Sequence, residues 1–387
     1  MHPITAPDLD HQPLPIELLQ PLAGNFCSDG PNRNKQSVCH IDADNDFDAI
    51  QSWLSEFSDS PNTFRYYRKE VERLLLWSMR HLNKSLAELT RTDFVDYQAF
   101  LTDPQPSRYW CGPRAPRDSG RWHPFEKGLS ANSQKQALIA INALFSYLVD
   151  AGYLMGNPLS LIRRRNRRIN DEDRKVAVER FLDQESWQYL KDYIANLPKN
   201  TSQEANTYER IRFLFHLLYL LAPRVSEVSS HSMNSFREHR GRWWWFVIGK
   251  GFKKAKVPVS DEMLDALMRY RRFLGLEALP DENDQSPLLR SIKGTSAVTS
   301  STVYRIVKSV VTDAAEQWMP DDPIRAKKLK RASTHWFRHT SITQQDDSGI
   351  SLKYLSRNAR HEKLETTAIY QHVEDDRWHD ESQKHRF

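Results

Sequence analysis

The spacing of apolar and polar positions changes character along the chain. Residues 1–44 are rich in Pro, Asn, Asp and Ser and carry no apolar period, which predicts a flexible amino-terminal segment. From Asp46 the pattern turns helical. Within residues 62–79, Tyr67, Val71, Leu74 and Leu75 follow one another at steps that line one helix face, with Lys69 and the arginines on the others. Thr90 and Asp93 have the placement of capping residues before the apolar run at 94–101. Ser130 opens a further helix whose stripe is Leu138, Ile141, Leu144, Phe145 and Leu148, and Gly152 with Asn157-Pro158 ends it. Residues 46–160 thus predict a bundle of about four helices. Between them, residues 103–128 hold five prolines and three glycines and are longer than a usual helix connection. They read as an inserted loop that leaves Arg114, Arg117 and Arg121 available for contact with a partner.

A second helical region begins at Phe181-Leu182. A leucine-rich helix over 213–221 runs into Ala222-Pro223, and one β-hairpin follows, with strands at 242–249 and 255–259 around a turn rich in Gly and Lys. Trp243, Trp244 and Trp245 in its first strand read as packed strand residues and not as groups exposed for stacking. The fold class is therefore mainly α, a helical bundle plus a mostly helical second domain with a small antiparallel hairpin or sheet. A length of 387 residues suits two domains.

Composition narrows the classes. Hydrophobic residues at 39% with 27% charged fit a globular chain. No run of about eighteen apolar residues marks a membrane span, and the first residues lack the basic-then-apolar order of a signal peptide. A cytoplasmic location, with no membrane partner, is the expectation. Cys27, Cys39 and Cys111 are odd in number and scattered, which argues against a disulfide framework, and Cys39-His40 has no second half that would make a metal site. The net charge of +5 is modest, but its distribution is uneven. Arg163, Arg164, Arg165, Arg167 and Arg168 crowd one short run without an acid, and a second basic run, 325–331, includes Lys328 and Lys330. Both are placed for phosphate-backbone contact.

The chemistry-bearing residues come in boxes. Arg224 and Glu227 follow Ala222-Pro223, Lys250 sits in Gly249-Lys250-Gly251, His335 and Arg338 stand three apart, and His361 precedes Tyr370 by nine positions. Arginines fork onto phosphate oxygens, histidine and lysine handle protons, and a tyrosine hydroxyl can attack phosphorus. In order and spacing these boxes resemble the tyrosine recombinases, the family of phage integrase, Xer and Cre-like proteins, whose pattern runs Arg…Lys…His-x-x-Arg…His…Tyr. The resemblance covers residues 178–373 and, more weakly, extends back to Asp46.

The resemblance implies a division into a flexible segment (1–44), a core-binding, SAM-like DNA-binding domain (45–162), a basic linker (163–177) and a catalytic domain with a carboxy-terminal tail (178–387). It implies a site-specific recombinase that cuts and rejoins DNA strands through a 3′-phosphotyrosine, with Tyr370 as nucleophile. Arg224 and Arg338 would clamp the non-bridging oxygens of the scissile phosphate, with Glu227 orienting Arg224. Lys250 would protonate the 5′-oxygen leaving group, His335 would assist acid–base work, and His361 would hydrogen-bond a non-bridging oxygen. Lys253 and Lys254, with the two basic runs, would hold the DNA backbone. The covalent link conserves the bond energy, and the chain has no phosphate-binding Gly-rich loop, so no cofactor and no metal are expected. Partners would be double-stranded DNA, further copies in a homotetramer on two duplexes, and accessory DNA-bending or directionality proteins, all at the nucleoid. The tail 373–387, anchored by Trp378, packs either on its own domain or on a neighbour. Integration and excision of a mobile element is the leading role, favoured by the insertion at 103–128. Alternatives are Xer-like chromosome or plasmid resolution, a type IB topoisomerase-like enzyme, and a recombinase-derived DNA-binding regulator. The chain departs from the family pattern at Arg360, where glycine is usual, at Ser235, where many relatives have aspartate, and at His231, where leucine is usual. Arg360 is expected either to add a phosphate contact or to alter the turn that sets His361.

Overall fold

The computed structural model describes residues 13–19, 29–36, 38–160, 180–249, 253–292 and 294–360. The chain falls into two compact units, Met1–Ile169 and Asn170–Phe387.

In the first unit, α1 (Ile16–Leu19) precedes α2 (Asp46–Ser55), α3 (Pro61–Trp77), α4 (Arg91–Thr102), the short α5 (Ser107–Trp110) and the long α6 (Ala131–Asp150). The caps fall where the sequence places them. Thr90 and Asp93 form a reciprocal capping box, and the Ser130 hydroxyl accepts from the Ser133 N–H. Helix α3 widens into a π turn at Ser78–Leu82, which Asn83 ends in the left-handed conformation. The core joins Val71, Leu74 and Leu75 of α3 to Ile141, Leu144 and Leu148 of α6.

Two expectations are corrected here. The segment before Asp46 is not loose where it is described. Asn32 exchanges two hydrogen bonds with the Gly156 backbone, at 2.8 and 2.9 Å. Arg33 donates to the Tyr153 carbonyl at 2.7 Å and lies 3.6 Å over its ring. These side chains satisfy the open backbone beyond α6, an anchoring that needs no apolar period. Residues 103–128 are likewise not a simple surface loop, because Tyr109, Trp110, Trp122 and Phe125 are buried in the core. Arg114 and Arg121 are exposed as expected. Arg117 instead turns inward, pairing with Glu17 and with Glu72, whose side chain is 1% exposed. Glu72 also accepts from the Ile16 N–H, so this network ties α1 to α3.

The second unit contains α7 (Gln184–Ala195), α8 (Ser202–Leu220), α9 (Val225–Ser230), strands β1 (Phe236–His239), β2 (Arg242–Ile248) and β3 (Lys254–Pro258), then α10 (Asp261–Phe273), α11 (Ser300–Trp318), α12 (Pro323–Arg331), α13 (Thr334–Asp347) and α14 (Leu352–Ala359). Helix α8 is central. Phe213 stacks on Tyr270 of α10 at 4.4 Å, and Phe215 meets Phe337 of α13 edge to face at 5.1 Å. The predicted hairpin gains a third strand, giving an antiparallel sheet in the order β1-β2-β3 with Phe236 and Val257 opposite Trp245. In β1 only Phe236 is buried, so no alternation marks it in the sequence. Trp245 is fully buried, as a packed strand residue. No described helix is long and apolar enough to cross a membrane.

Removing Arg117 leaves Glu72 buried without its cation. Arg117→Ala is expected to lower stability by about 3 kcal/mol, whereas Arg114→Ala leaves it unchanged. Urea unfolding of the two variants checks this.

Candidate active site

The site begins where α8 stops. Leu221 closes the helix, and Ala222 takes a left-handed conformation at φ 45° before Pro223, which cannot continue the helix. Such a φ strains a non-glycine residue by about 1–2 kcal/mol. It is offset by what the turn presents. The Ala222 carbonyl accepts from Arg338 Nη1 at 2.5 Å and from Arg360 Nη2 at 2.8 Å. Arg338 comes from the second turn of α13, is 3% exposed, and also donates to the Ala359 carbonyl at the end of α14.

Arg224 caps α9. Its backbone N–H donates to Glu227 Oε2 at 2.7 Å and its Nη1 to Oε1 at 3.0 Å, so one buried carboxylate fixes both the helix start and the guanidinium. Arg224 Nη2 reaches the Arg360 carbonyl at 3.2 Å. With a side chain 36% exposed, Arg224 keeps an open face. Gly249 lies alongside. A Cβ built there would be 3.6 Å from both Arg224 Nη1 and Glu227 Oε1, and its N–H closes the turn onto the Lys253 carbonyl at 2.9 Å.

His335 stands one turn of α13 before His339, their rings edge to face at 4.2 Å. It retains an exposed edge. Partial burial of its ring and then the cations Arg338, Arg180 and Arg224 hold its imidazole below the ordinary value. Arg180, exposed just before the first helix of the unit and part of no motif, is a contributor to the positive charge at His335 that the sequence reading did not name. Arg224, Glu227, His335 and Arg338 are thus brought together from two elements, α9 with its cap and α13. Lys250, His361, Tyr370 and the run Arg163, Arg164, Arg165, Arg167 and Arg168 lie outside the described residues. Lys253 and Lys254 are exposed at the start of β3. Lys328 and Lys330 already have partners, Asp183 at 3.7 Å and Glu316 at 2.9 Å, which a phosphate would have to displace.

The three departures from the family pattern meet around Trp245. Ser235 Oγ accepts from the Trp245 indole at 3.1 Å and donates to the Ser232 carbonyl at 2.6 Å. His231 Nε2 accepts from the Ile248 N–H at 2.9 Å, so its proton sits on Nδ1, 2.9 Å from the Glu227 carbonyl. The Arg360 guanidinium lies 5.4 Å from the Trp245 ring centroid. Of the two expectations for Arg360, the outward phosphate contact is not what the structure has, because the side chain points inward and is 5% exposed.

Comparison with known proteins agrees with this arrangement. The phage integrase family profile matches residues 180–377, more than half of the chain. The tyrosine recombinase XerD of Rhizobium meliloti is 27% identical over 261 residues, covering 67% of this chain and 76% of that protein. Among solved structures, the XerH site-specific recombinase in a post-cleavage complex with palindromic difH substrate superposes with a TM-score of 0.60 at 17% identity, over 98% of this chain and 99% of that one. The Tn1549 transposon integrase in complex with a circular intermediate DNA gives 0.57 at 12% identity, over 87% and 98%. Their mainly helical fold with a small sheet is the one described above. A profile match that spans the clustered arginines, and the fold shared with these recombinases, lead to one assignment: the chain belongs to the phage integrase family and is a tyrosine-type site-specific recombinase.

Proposed function

We propose that the chain cuts and rejoins DNA through a 3′-phosphotyrosine intermediate formed on Tyr370, in the integration and excision of a mobile element. The observation that carries this reading is an excess of positive charge with a purpose-built geometry. Arg224 and Arg360 share one carboxylate, Glu227, while Arg338 joins Arg360 on the Ala222 carbonyl, and after burial the cations Arg338, Arg180 and Arg224 hold the His335 imidazole down. A site short of negative charge suits a phosphodiester, and suits still better a transition state that puts further charge on the non-bridging oxygens.

In this reading Arg224 and Arg338 hold those oxygens. The Tyr370 hydroxyl attacks phosphorus, its proton passes to a basic group nearby, and the P–O5′ bond breaks as Lys250 supplies a proton to the departing oxygen. His335 and His361 complete the hydrogen bonding to the phosphoryl group. Attack by a second strand's 5′-hydroxyl on the phosphotyrosine reverses the step, with no external energy source. The first unit serves as the core-binding domain, the arginines at 163–168 and Lys253 and Lys254 hold the backbone, and four copies act on two duplexes with accessory DNA-bending or directionality proteins. The enzyme would work in the cytoplasm, at the nucleoid.

A second reading, Xer-like resolution of chromosomes or plasmids, is favoured by the XerD relative and the XerH neighbour. Recovering covalent protein–DNA adducts and sequencing the attached DNA separates the two. Adducts at the ends of an element support integration, and adducts at one chromosomal or plasmid site support resolution. Scattered adducts would overturn site specificity.

Tyr370→Phe is expected to abolish adducts while leaving DNA affinity nearly unchanged, measured by denaturing gel and by titration. Arg338→Ala is expected to slow cleavage by about 10²–10³, measured in single turnover. His335 is expected to titrate below about 6.5 in the free protein and to move up when a phosphodiester sits beside it. Its neutral form is favoured by the fold, so this contribution to stability is lost as pH falls below about 6.5. Histidine NMR on Tyr370→Phe, with and without duplex DNA, checks the direction.

A further inference from the structure

We infer that Arg360 is a positioning residue that neutralises Glu227 and thereby frees Arg224 to engage a phosphate. The inference rests on the proposed strand cleavage and goes beyond it.

Arg360 occupies a backbone position at φ 54°, which favours glycine, so an arginine there carries conformational strain. Its side chain does not use that position to reach solvent. Nη2 donates to Glu227 Oε2 and to the Ala222 carbonyl, both at 2.8 Å, and Nη1 donates to the Asn358 carbonyl at 2.8 Å. Its own carbonyl accepts from Arg224. One residue therefore touches each part of the clamp: the carboxylate that orients Arg224, the carbonyl that also receives Arg338, and Arg224 itself.

The consequence is electrostatic. If Glu227 had only Arg224 as a cation, moving that guanidinium onto a phosphate would leave a buried carboxylate unpaired, at a cost opposing the move. Arg360 remains on Glu227 whichever way Arg224 turns. As a second buried cation it also repels Arg224 towards its open face. The planar fork bonds Glu227 and Ala222 through Nη2 and the Asn358 carbonyl through Nη1, a spread over two nitrogens that the single nitrogen of a lysine ammonium cannot reproduce.

The test uses Arg360→Lys and Arg360→Gly in the full-length protein, with wild type in parallel, on a nicked duplex carrying the sequence recovered from wild-type adducts. Arg360→Lys keeps the charge and loses the fork. It is expected to slow single-turnover cleavage by about tenfold to a hundredfold while DNA affinity stays within a few-fold of wild type. Arg360→Gly relieves the strain and removes the cation, and is expected to slow cleavage more. In an Arg224→Lys background, Arg360→Lys should have a smaller effect than in wild type, because both act through Glu227. A merely structural role would instead give equal, additive losses that follow thermal stability. Wild-type cleavage rates in Arg360→Lys, or such additive losses, would overturn the inference. If wild type itself forms no adduct, the strand-cleavage reading fails, and the two failures are told apart by that control.

Discussion

Guanidinium groups repel one another, and in a protein with an effective dielectric of about 20, two of them about 4 Å apart do so by roughly 4 kcal/mol. The second unit nevertheless gathers Arg224, Arg338 and Arg360 at the junction of α8, α9, α13 and α14. What makes this possible is Glu227, a buried carboxylate that accepts from the Arg224 backbone, from the Arg224 guanidinium and from Arg360. Backbone carbonyls accept from further guanidinium nitrogens, those of Ala222 and Ala359 above all. The cluster is stable enough to form and still carries net positive charge. Under the proposed strand cleavage, that combination would receive an anion whose charge grows during reaction.

The strained turn at Ala222 is the geometric counterpart of that charge. Its left-handed backbone delivers one carbonyl oxygen to two guanidiniums from distant parts of the sequence. The same turn starts α9 and so sets Arg224. Strand β2 then brings Gly249 beside Arg224 and Glu227. Helix packing through α8, Phe215 and Phe337 fixes α13 and, with it, His335 and Arg338.

Much of this was legible in the sequence where the information is local. Thr90 with Asp93, and Ser130, signal helix starts because a cap is decided within four residues. The boxes holding Arg224, Glu227, His335 and Arg338 were legible because the chemistry fixes residue types at short spacing. Other features were hidden because they depend on distant partners. Asn32 and Arg33 look like loop residues until the backbone beyond α6 is beside them. Trp110, Trp122 and Phe125 lie among prolines and glycines, with no period to announce burial. A basic run such as 325–331 shows charge but not the acids facing it, so Lys328 and Lys330 looked freer than they are. The inward turn of Arg360 accompanies a left-handed backbone that a glycine would announce and an arginine does not.

The convergence of Ser235, His231 and Arg360 on Trp245 bears on how this enzyme tolerates substitution. An indole held by Ser235, a ring clamped between Glu227 and β2, and a cation over the indole form one interlocking set. Replacing any one alone leaves its neighbours with polar groups or charge that the others no longer match. Substitutions at the three positions are therefore coupled, a change at one altering the effect of a change at another. The three positions form one packed unit, spread across more than a hundred residues of chain.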